Sequence, residues 1–225
     1  MGTAERRERE RERLREKILD AARDLFTAFG YEAVTMRKIA EKIEYSPTTI
    51  YLHFADKNAL LRELCSTDFL TLASRFQVLQ AESDPIQRLR GIAAAFLRFA
   101  QELPNHYRMM FMTPHPPVSV DERAIEKGNF EEDAWAFVKG SVAEAQQAGL
   151  LRGDLPSGTV AQLFFAGLHG IAALHITASN DPWIDWRPAE EISELMTETL
   201  IRGCAPTAET RRAPRGSARK KAPRT

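Results

Sequence analysis

One segment near the N-terminus, residues 18–63, constrains the fold more than any other part of this chain. Its apolar residues recur at helical spacing, and Gly30, Thr35 and Ser46 divide them into short runs that begin at a capping residue or end at a glycine. The pattern predicts three short helices and the start of a fourth, with a tight turn between the second and the third. This is the layout of a helix-turn-helix, which places one short helix in the major groove of DNA.

The ends of these helices can be predicted from single residues. The first helix is expected over about 14–29, with its apolar face formed by residues such as Ile18 and Phe29, and with Gly30 as its stop. Oxygen-bearing side chains stand where the next three helices should begin, at Thr35, Ser46 and Asp56. Proline follows Ser46, in the first turn of a helix, where its missing N–H costs nothing.

The open face of the third predicted helix and the helix starts around it supply the candidate DNA contacts. These are Thr35, Arg37, Ser46, Pro47, Thr48, Thr49, Tyr51, His53 and Lys57. A threonine can bond a base edge or place its methyl group on that of thymine, and a lysine beside a helix start favours phosphate. For two of these residues an interpretation without a DNA contact stays open: the ring of Tyr51 packs on the first helix, and Arg37 is simply exposed to solvent.

Charge is unevenly distributed along a chain whose formal net charge is zero. Residues 1–57 carry 12 Lys and Arg against 11 Asp and Glu, residues 58–205 carry 12 against 19, and residues 206–225 carry 7 against 1. A DNA-binding protein needs to be basic only on the face that meets phosphate, so the overall neutrality excludes nothing. We expect a charged arm over 1–13, either a solvated extension of the first helix or a set of arginines that touch DNA.

The remainder of the chain is also helical by its period. Helices are predicted over about 85–103, 104–112, 121–148, 159–178 and 190–203, with Gly128 as a candidate break in the third of these, and no strand is convincing. Residues 204–225 lack apolar side chains that could pack and are predicted to be a disordered basic tail. The predicted domains are therefore the arm over 1–13, a helix-turn-helix domain over 14–62, a helical domain over 63–203 and the tail.

The first 62 residues or so resemble the TetR family of bacterial transcription regulators. The resemblance is carried by Ala21-Ala22, Leu25-Phe26, Gly30, Thr35, Ile39-Ala40, Ser46, Ile50-Tyr51, His53-Phe54, Asp56-Lys57 and Leu60-Leu61. The chain departs from the family at the turn, where Glu44-Tyr45 stands in place of the usual Gly-Val. A residue other than glycine in a left-handed turn costs on the order of 1 kcal/mol.

Residues 96–111 and 163–174 resemble the family subgroup whose ligand domain carries a Trp…His-Gly signature; His169-Gly170 is present and Phe165 replaces the tryptophan. Methionine and aromatic side chains between helices would suit a hydrophobic ligand, although for any single one a core position is the safer interpretation. The candidate ligand residues are Phe96, Phe99, Met109, Met110, Trp135, Phe165 and His169.

Several classes of protein are not supported by the sequence. No phosphate-binding loop, nucleophile elbow or metal-protease motif appears, so we expect no enzyme and no cofactor. Cys65 and Cys204 are isolated, and His169 and His175 lie on different faces of a helix, so no metal site is expected. The sequence contains no run of 18 apolar residues, so no membrane span is expected. The two isolated thiols suit a reducing cytoplasm.

These observations predict an all-α protein with a helix-turn-helix head and a helical body for ligand binding and dimerisation. As a homodimer it would bind a palindromic operator on double-stranded DNA, most simply as a repressor, and a small hydrophobic molecule would release it. Two apolar helices, about 159–178 and 190–203, would form the dimer interface, with Leu168 and Leu195 in it. A helical ligand carrier or scaffold without DNA affinity is the alternative, and an activator is possible as well.

Overall fold

The computed structural model describes residues 3–117 and 125–207, and all regular structure in these two ranges is α-helical. The helices are α1 (Thr3–Phe29), α2 (Met36–Lys42), α3 (Pro47–Tyr51), α4 (Lys57–Gln77), α5 (Pro85–Glu102), α6 (Pro104–Phe111), α7 (Ala134–Gln147), α8 (Ser157–Ala178) and α9 (Ala189–Gly203). The all-α prediction is confirmed for this part of the chain.

The first three helices and the start of α4 enclose a small core of their own, which we call the head. Its fully buried side chains include Ile18, Phe26, Ile39, Ile50 and Leu60. This core extends past residue 62 to Cys65, and it also contains Met109, which α6 contributes from farther along the chain. The head is therefore closed by a residue about 50 positions away in sequence.

The predicted caps of the head are confirmed. The side chain of Thr35 accepts a hydrogen bond from the Lys38 N–H, that of Ser46 from the Thr49 N–H, and that of Asp56 from the Ala59 N–H. Each satisfies one of the N–H groups that a helix start leaves without a partner. Glu44 has φ +63°, which is the left-handed conformation that the Glu-Tyr departure implied.

The chain from α5 onward, together with most of α4, forms the body. Its core joins residues of α4, α5, α6, α7 and α8, with aromatic side chains such as Phe76, Phe96, Phe137 and Phe164 at the centre. α5 packs against α7, α8 and α9, and α8 also packs against α7 and α9. By length and composition alone α8 is apolar enough to cross a membrane; here it packs against α5, α7 and α9, and 33% of its most apolar stretch is buried.

Some predicted boundaries were wrong. α1 begins at Thr3 rather than near residue 14, so the described part of the arm continues α1 as a solvated helix. α7 begins at Ala134 rather than near residue 121, because Asp133 caps it and Gly128 has φ +88° in the turns before it. Phe29 is 66% exposed rather than part of the apolar face. The prediction for the tail concerns mostly residues 208–225, which lie outside the described residues.

Candidate functional site

The short helix α3 presents a mixed polar surface to solvent. Ile50 and Phe54 turn into the head core, whereas Thr48 is exposed and Tyr51 is 54% exposed. Thr49 is half-buried, and its hydroxyl lies 2.9 Å from that of Ser46. Leu52, which was not among the candidate contacts, is 76% exposed. The outer face of α3 therefore consists of a hydroxyl, a phenol ring and an apolar side chain, a set that can read base edges and thymine methyl groups.

Two of the candidate phosphate contacts are already engaged within the head. The Lys57 ammonium donates to the carbonyl oxygens of Tyr31 and Val34, at 3.0 and 3.2 Å, and lies 4.0 Å from the centre of the Tyr31 ring. Lys57 thus connects the start of α4 to the loop between α1 and α2 through two of its three ammonium N–H groups. Arg37 is exposed and pairs with Glu41 at 2.9 Å, which fits the solvent-exposed interpretation.

His53 lies beside α1 rather than on the outer face of α3. It is half-buried, and its Nδ1 atom is buried without a hydrogen-bond partner among the described residues. Burial lowers the pKa of His53, and the charges of Arg11 and Arg15 lower it further. Arg15 itself donates to the His53 carbonyl oxygen at 3.1 Å and to Glu63, so the chain after α3 is fixed to α1.

A buried ionic cluster joins the head to the body. The Arg23 guanidinium on α1 makes two hydrogen bonds to the carboxylate of Asp68 on α4, at 2.8 and 3.2 Å. The same carboxylate lies 2.9 Å from Nδ1 of His106 on α6, and the Asp68 side chain is fully buried. Asp20 accepts a further hydrogen bond from Arg23 at 2.7 Å. Three helices from both regions therefore share one charged contact.

The body contains a cavity of about 520 Å³. Its wall is formed by Phe69, Leu72, Phe76, Leu89, Ile92, Phe96, Phe111, Ile125, Ala134, Trp135, Val138, Phe164, Phe165 and Leu168, with Lys127, Glu132, Asp133 and Gln162 as the polar members. Asp133 already accepts hydrogen bonds from the N–H groups of Gly128, Trp135 and Ala136. The volume and the apolar wall are those of a site for a small molecule.

The seven predicted ligand residues divide into two groups. Phe96, Trp135 and Phe165 line the cavity. Phe99, Met109, Met110 and His169 do not; the first three are buried in core packing, and Met109 belongs to the core of the head. Sequence reasoning missed Phe69, Leu72 and Phe76 of α4, because apolar residues occur all round this helix and no single face stands out.

His169 lies one layer behind the cavity wall. Its ring stacks on Phe165, with ring centres 5.6 Å apart, and its Nδ1 is 2.6 Å from the hydroxyl of Tyr107. Burial lowers the pKa of His169 and raises the pKa of Tyr107, so both groups are neutral and share one hydrogen bond, whose direction depends on the His169 tautomer. The polar pair therefore supports the wall at Phe165 and does not itself face the cavity.

The outer face of α8 and α9 exposes three leucines among polar side chains. Leu163 and Leu174 of α8 are about half exposed, and Leu195 of α9 is 55% exposed. Leu168 is 5% exposed and packs in the body core, so its predicted place in an interface was wrong. At Gly167 the two helices approach so closely that an added Cβ would lie 3.1 Å from the Met196 side chain, and this contact holds α9 against α8.

Comparison with known families agrees with this division into head and body. The family described as "Bacterial regulatory proteins, tetR family" matches residues 18–64, and the family described as "Tetracyclin repressor-like, C-terminal domain" matches residues 89–200. Together the two matches cover well over half of the chain. Within the described residues, no group of three or more His, Cys, Asp or Glu side chains could hold a metal ion.

Curated relatives and solved structures are similar to the chain to different extents. The transcriptional regulator TcmR of Streptomyces glaucescens is 36% identical over 92 residues, which is 40% of this chain and 40% of TcmR. The transcriptional activator FasR of Mycolicibacterium smegmatis is 32% identical over 102 residues, 45% of this chain and 47% of FasR. The chain thus matches less than half the length of either relative.

A structure of a protein of unknown function from Rhodococcus sp. RHA1 has a TM-score of 0.66 and 26% identity, and the match covers 86% of this chain and 96% of that one. A TetR family regulator from Marinobacter aquaeolei VT8 has a TM-score of 0.70 at 20% identity, over 88% and 98% of the two chains. The fold of the whole described chain is therefore shared with that family.

Proposed function

The chain belongs to the tetR family of bacterial transcriptional regulators, and from that premise we propose a homodimeric repressor that a small apolar molecule releases from a palindromic operator. The observation that carries the proposal is the combination of two features in one chain. The capped helix α3 has Thr48 and Tyr51 outward, and the body contains an apolar cavity of about 520 Å³. A buried ionic cluster connects the two regions. Such a regulator works in the bacterial cytoplasm, where its two buried thiols stay reduced.

DNA reading is assigned to the outer face of α3. Thr48 and Tyr51 are proposed to meet base edges, and Leu52 is proposed to lie against thymine methyl groups or sugars. The helix start at Ser46, the exposed Pro47 and the cap at Thr35 position the backbone near phosphate, and the remaining Lys57 N–H serves the same purpose.

Dimerisation is assigned to the outer face of α8 and α9. Leu163, Leu174 and Leu195 are large apolar side chains exposed on this face, which a second copy would cover. One helix of five residues reads too few base pairs for a useful operator, whereas two related by a two-fold axis read two half-sites about 34–36 Å apart. The α8 and α9 helices of the two bodies would therefore meet in a four-helix contact, and this contact would set the distance between the two α3 helices.

The effector is proposed to be a neutral molecule with a mainly apolar, partly aromatic surface. Aromatic rings from α4, α5, α6, α7 and α8 meet at the cavity, and the carboxylate of Asp133 is already bonded to three backbone N–H groups. A bound molecule that pushes on Phe111 would move α6, which carries His106 of the ionic cluster. Release from DNA follows if the ligand binds better to the head spacing that does not fit the operator.

Selection of bound sequences from a random pool of DNA duplexes tests the proposal directly. We expect the pool to converge on an inverted repeat, and Thr48→Ala and Tyr51→Ala to weaken binding to it by about tenfold each, as for the loss of one base contact worth about 1–3 kcal/mol. Arg98→Ala, which removes an exposed charge from the body, is the control. A protein that binds apolar compounds but selects no sequence would be the ligand carrier of the alternative hypothesis.

A further inference from the structure

The polar part of the cavity wall in the body is small and comes from two places in the fold. Its polar lining residues are Lys127, Glu132, Asp133 and Gln162. The first three belong to the turns that lead into α7, and Gln162 lies in the second turn of α8. Because the rest of the wall is apolar, these few groups decide which polar atoms a bound molecule can carry and how the molecule is oriented.

A contact between two aromatic rings brings these two places together. Phe165 lies one turn after Gln162 on the same side of α8, and it meets Trp135 in the first turn of α7 edge-on, with ring centres 6.5 Å apart. The turn that contains Lys127 is fixed to α7, since the N–H of the next residue, Gly128, donates to the carboxylate that caps α7 at 3.0 Å. Lys127 and Gln162 therefore flank the same pair of rings.

The hydrogen-bond partners of the four polar groups show which of them remain for a ligand. Asp133 accepts hydrogen bonds from three backbone N–H groups, and Glu132 accepts one from the Glu126 N–H at 3.0 Å. Lys127 and Gln162 are exposed at the cavity and make no hydrogen bond or ion pair with any described residue. The donors that remain at this wall are therefore an ammonium and a primary amide.

We propose that the effector carries a neutral carbonyl group, whose oxygen accepts hydrogen bonds from the Gln162 amide and the Lys127 ammonium while its apolar part packs among the aromatic rings. The inference rests on the proposed ligand site and names the class of compound that this site selects, an apolar ring-bearing ketone, aldehyde or ester. A carbonyl oxygen has two lone pairs, so it can accept from both donors at once.

Other polar groups match this wall less well. Two carboxylates and one ammonium give it an excess of negative charge, which disfavours a carboxylate on the ligand. A protonated amine would add a third donor where two donors already lack an acceptor. Because Lys127 and Gln162 reach solvent, water replaces the carbonyl when none is bound, and we expect the carbonyl to improve affinity by about three- to tenfold.

Three compounds of one shape test the chemical class. Acetylphenanthrene carries the carbonyl group, isopropenylphenanthrene has a CH₂ group in place of its oxygen, and phenanthrene carboxylate carries a negative charge at the same ring carbon. The change in tryptophan fluorescence of the full chain, which has Trp135 in the cavity wall, measures each dissociation constant. We expect the wild type to bind the ketone about three- to tenfold more tightly than the alkene, and the carboxylate most weakly.

Two substitutions remove the donors while keeping side chains of similar size. Gln162→Leu and Lys127→Met should each reduce the preference for the ketone over the alkene by about threefold, and the affinity for the alkene should stay the same. Gln147→Leu and Lys139→Met are the matched controls, because both residues are exposed on α7 and neither lines the cavity. Both control variants should keep the preference of the wild type.

The outcomes separate this inference from the function on which it rests. Equal binding of the ketone and the alkene to the wild type would overturn the inference, as would a preference for the ketone that survives in both Gln162→Leu and Lys127→Met. Tightest binding of the carboxylate would also overturn it, since Lys127 would then act as the partner of a charge. If none of the three compounds binds, the proposed ligand site itself fails, and this result differs from equal binding.

Discussion

The head and the body are both built from α-helices, but they differ in where their functional groups lie. The head is a closed core whose functional groups lie outside, on the exposed face of a five-residue helix. The body is a larger core that encloses the proposed ligand site, a cavity lined by side chains from five helices. A surface that reads DNA needs only local geometry, whereas a cavity needs several long-range contacts at once.

The two regions also differ in how their helices begin. All three internal helix starts of the head are capped by an oxygen-bearing side chain of the preceding residue. In the body, Asp84 and Asp133 cap α5 and α7 in the same way, but α6, α8 and α9 begin without a side-chain cap hydrogen bond. Packing must therefore hold the starts of these three body helices. Substitutions in the body should therefore change the response to ligands, and substitutions in the head should change DNA affinity.

The largest expected effect is at the joint between the two regions. Asp68→Asn leaves the buried Arg23 guanidinium with only Asp20, so we expect the free energy of unfolding to fall by about 3 kcal/mol. Urea denaturation followed by circular dichroism measures this. The double variant Arg23→Met/Asp68→Leu should recover most of the loss, and Glu41→Gln, in an exposed ion pair, should have little effect. Equal stability of Asp68→Asn and wild type would show that the cluster does not join the regions.

The next largest effect is expected at the outer face of the body. Leu195→Glu places a charge on the surface assigned to dimerisation, so we expect monomers by light scattering and operator affinity about 100-fold lower. Val78→Glu, at a more exposed valine that follows the last residue of α4, should keep the mass and the affinity of wild type. A Leu195→Glu protein that remains dimeric would move the interface elsewhere.

A third variant tests whether cavity and DNA surface can be separated. Val138→Trp fills part of the cavity at an estimated cost of about 1–3 kcal/mol from overpacking. We expect apolar compounds to lose their stabilising effect in thermal-shift measurements, while affinity for DNA stays within about threefold, less than 1 kcal/mol. Val78→Trp is the matched control. Retention of ligand stabilisation by Val138→Trp would place the ligand site outside this cavity.

The smallest effect is expected from the polar pair behind the cavity wall. Tyr107→Phe leaves Nδ1 of His169 without its partner, which costs about 1 kcal/mol. Because the pKa of His169 is lowered in the folded state, the unfolded chain binds protons first, and stability should decline as the pH falls below about 6.5.

His53, whose pKa is also lowered, should contribute to this decline. His169→Asn should make the pH dependence shallower between pH 6.5 and 5, as followed by thermal denaturation. An unchanged pH profile would show that His169 is equally easy to protonate in the folded and the unfolded chain.

The head could be predicted from sequence because its determinants are local. Thr35, Ser46, Pro47 and Asp56 each act within three residues of their own position, and the structure places each of them as expected. The left-handed turn at Glu44 followed from one departure in a short motif. His53 and Lys57 were harder, because their partners on α1 and in the α1–α2 loop are decided by packing.

The cavity could be predicted only in outline. Sequence indicated that aromatic and methionine side chains were abundant, but not which of them meet. Met109 faces the head because α6 lies between the two cores, and Phe69 on α4 lines the cavity although its helix shows no distinct apolar face. Leu168 and Leu195 were treated alike, and only the packing of α8 separates the buried from the exposed one. These differences arise from contacts between helices that are distant in sequence, and a local sequence pattern cannot predict such contacts.

The most direct test of the whole account is the mass and affinity of the complex between this protein and a selected inverted repeat. We predict two chains per repeat by light scattering, with half-sites about one helical turn apart, and a loss of binding when an apolar compound that raises the melting temperature is added. A single chain bound per duplex, or a complex that the same stabilising compound leaves intact, would contradict the account.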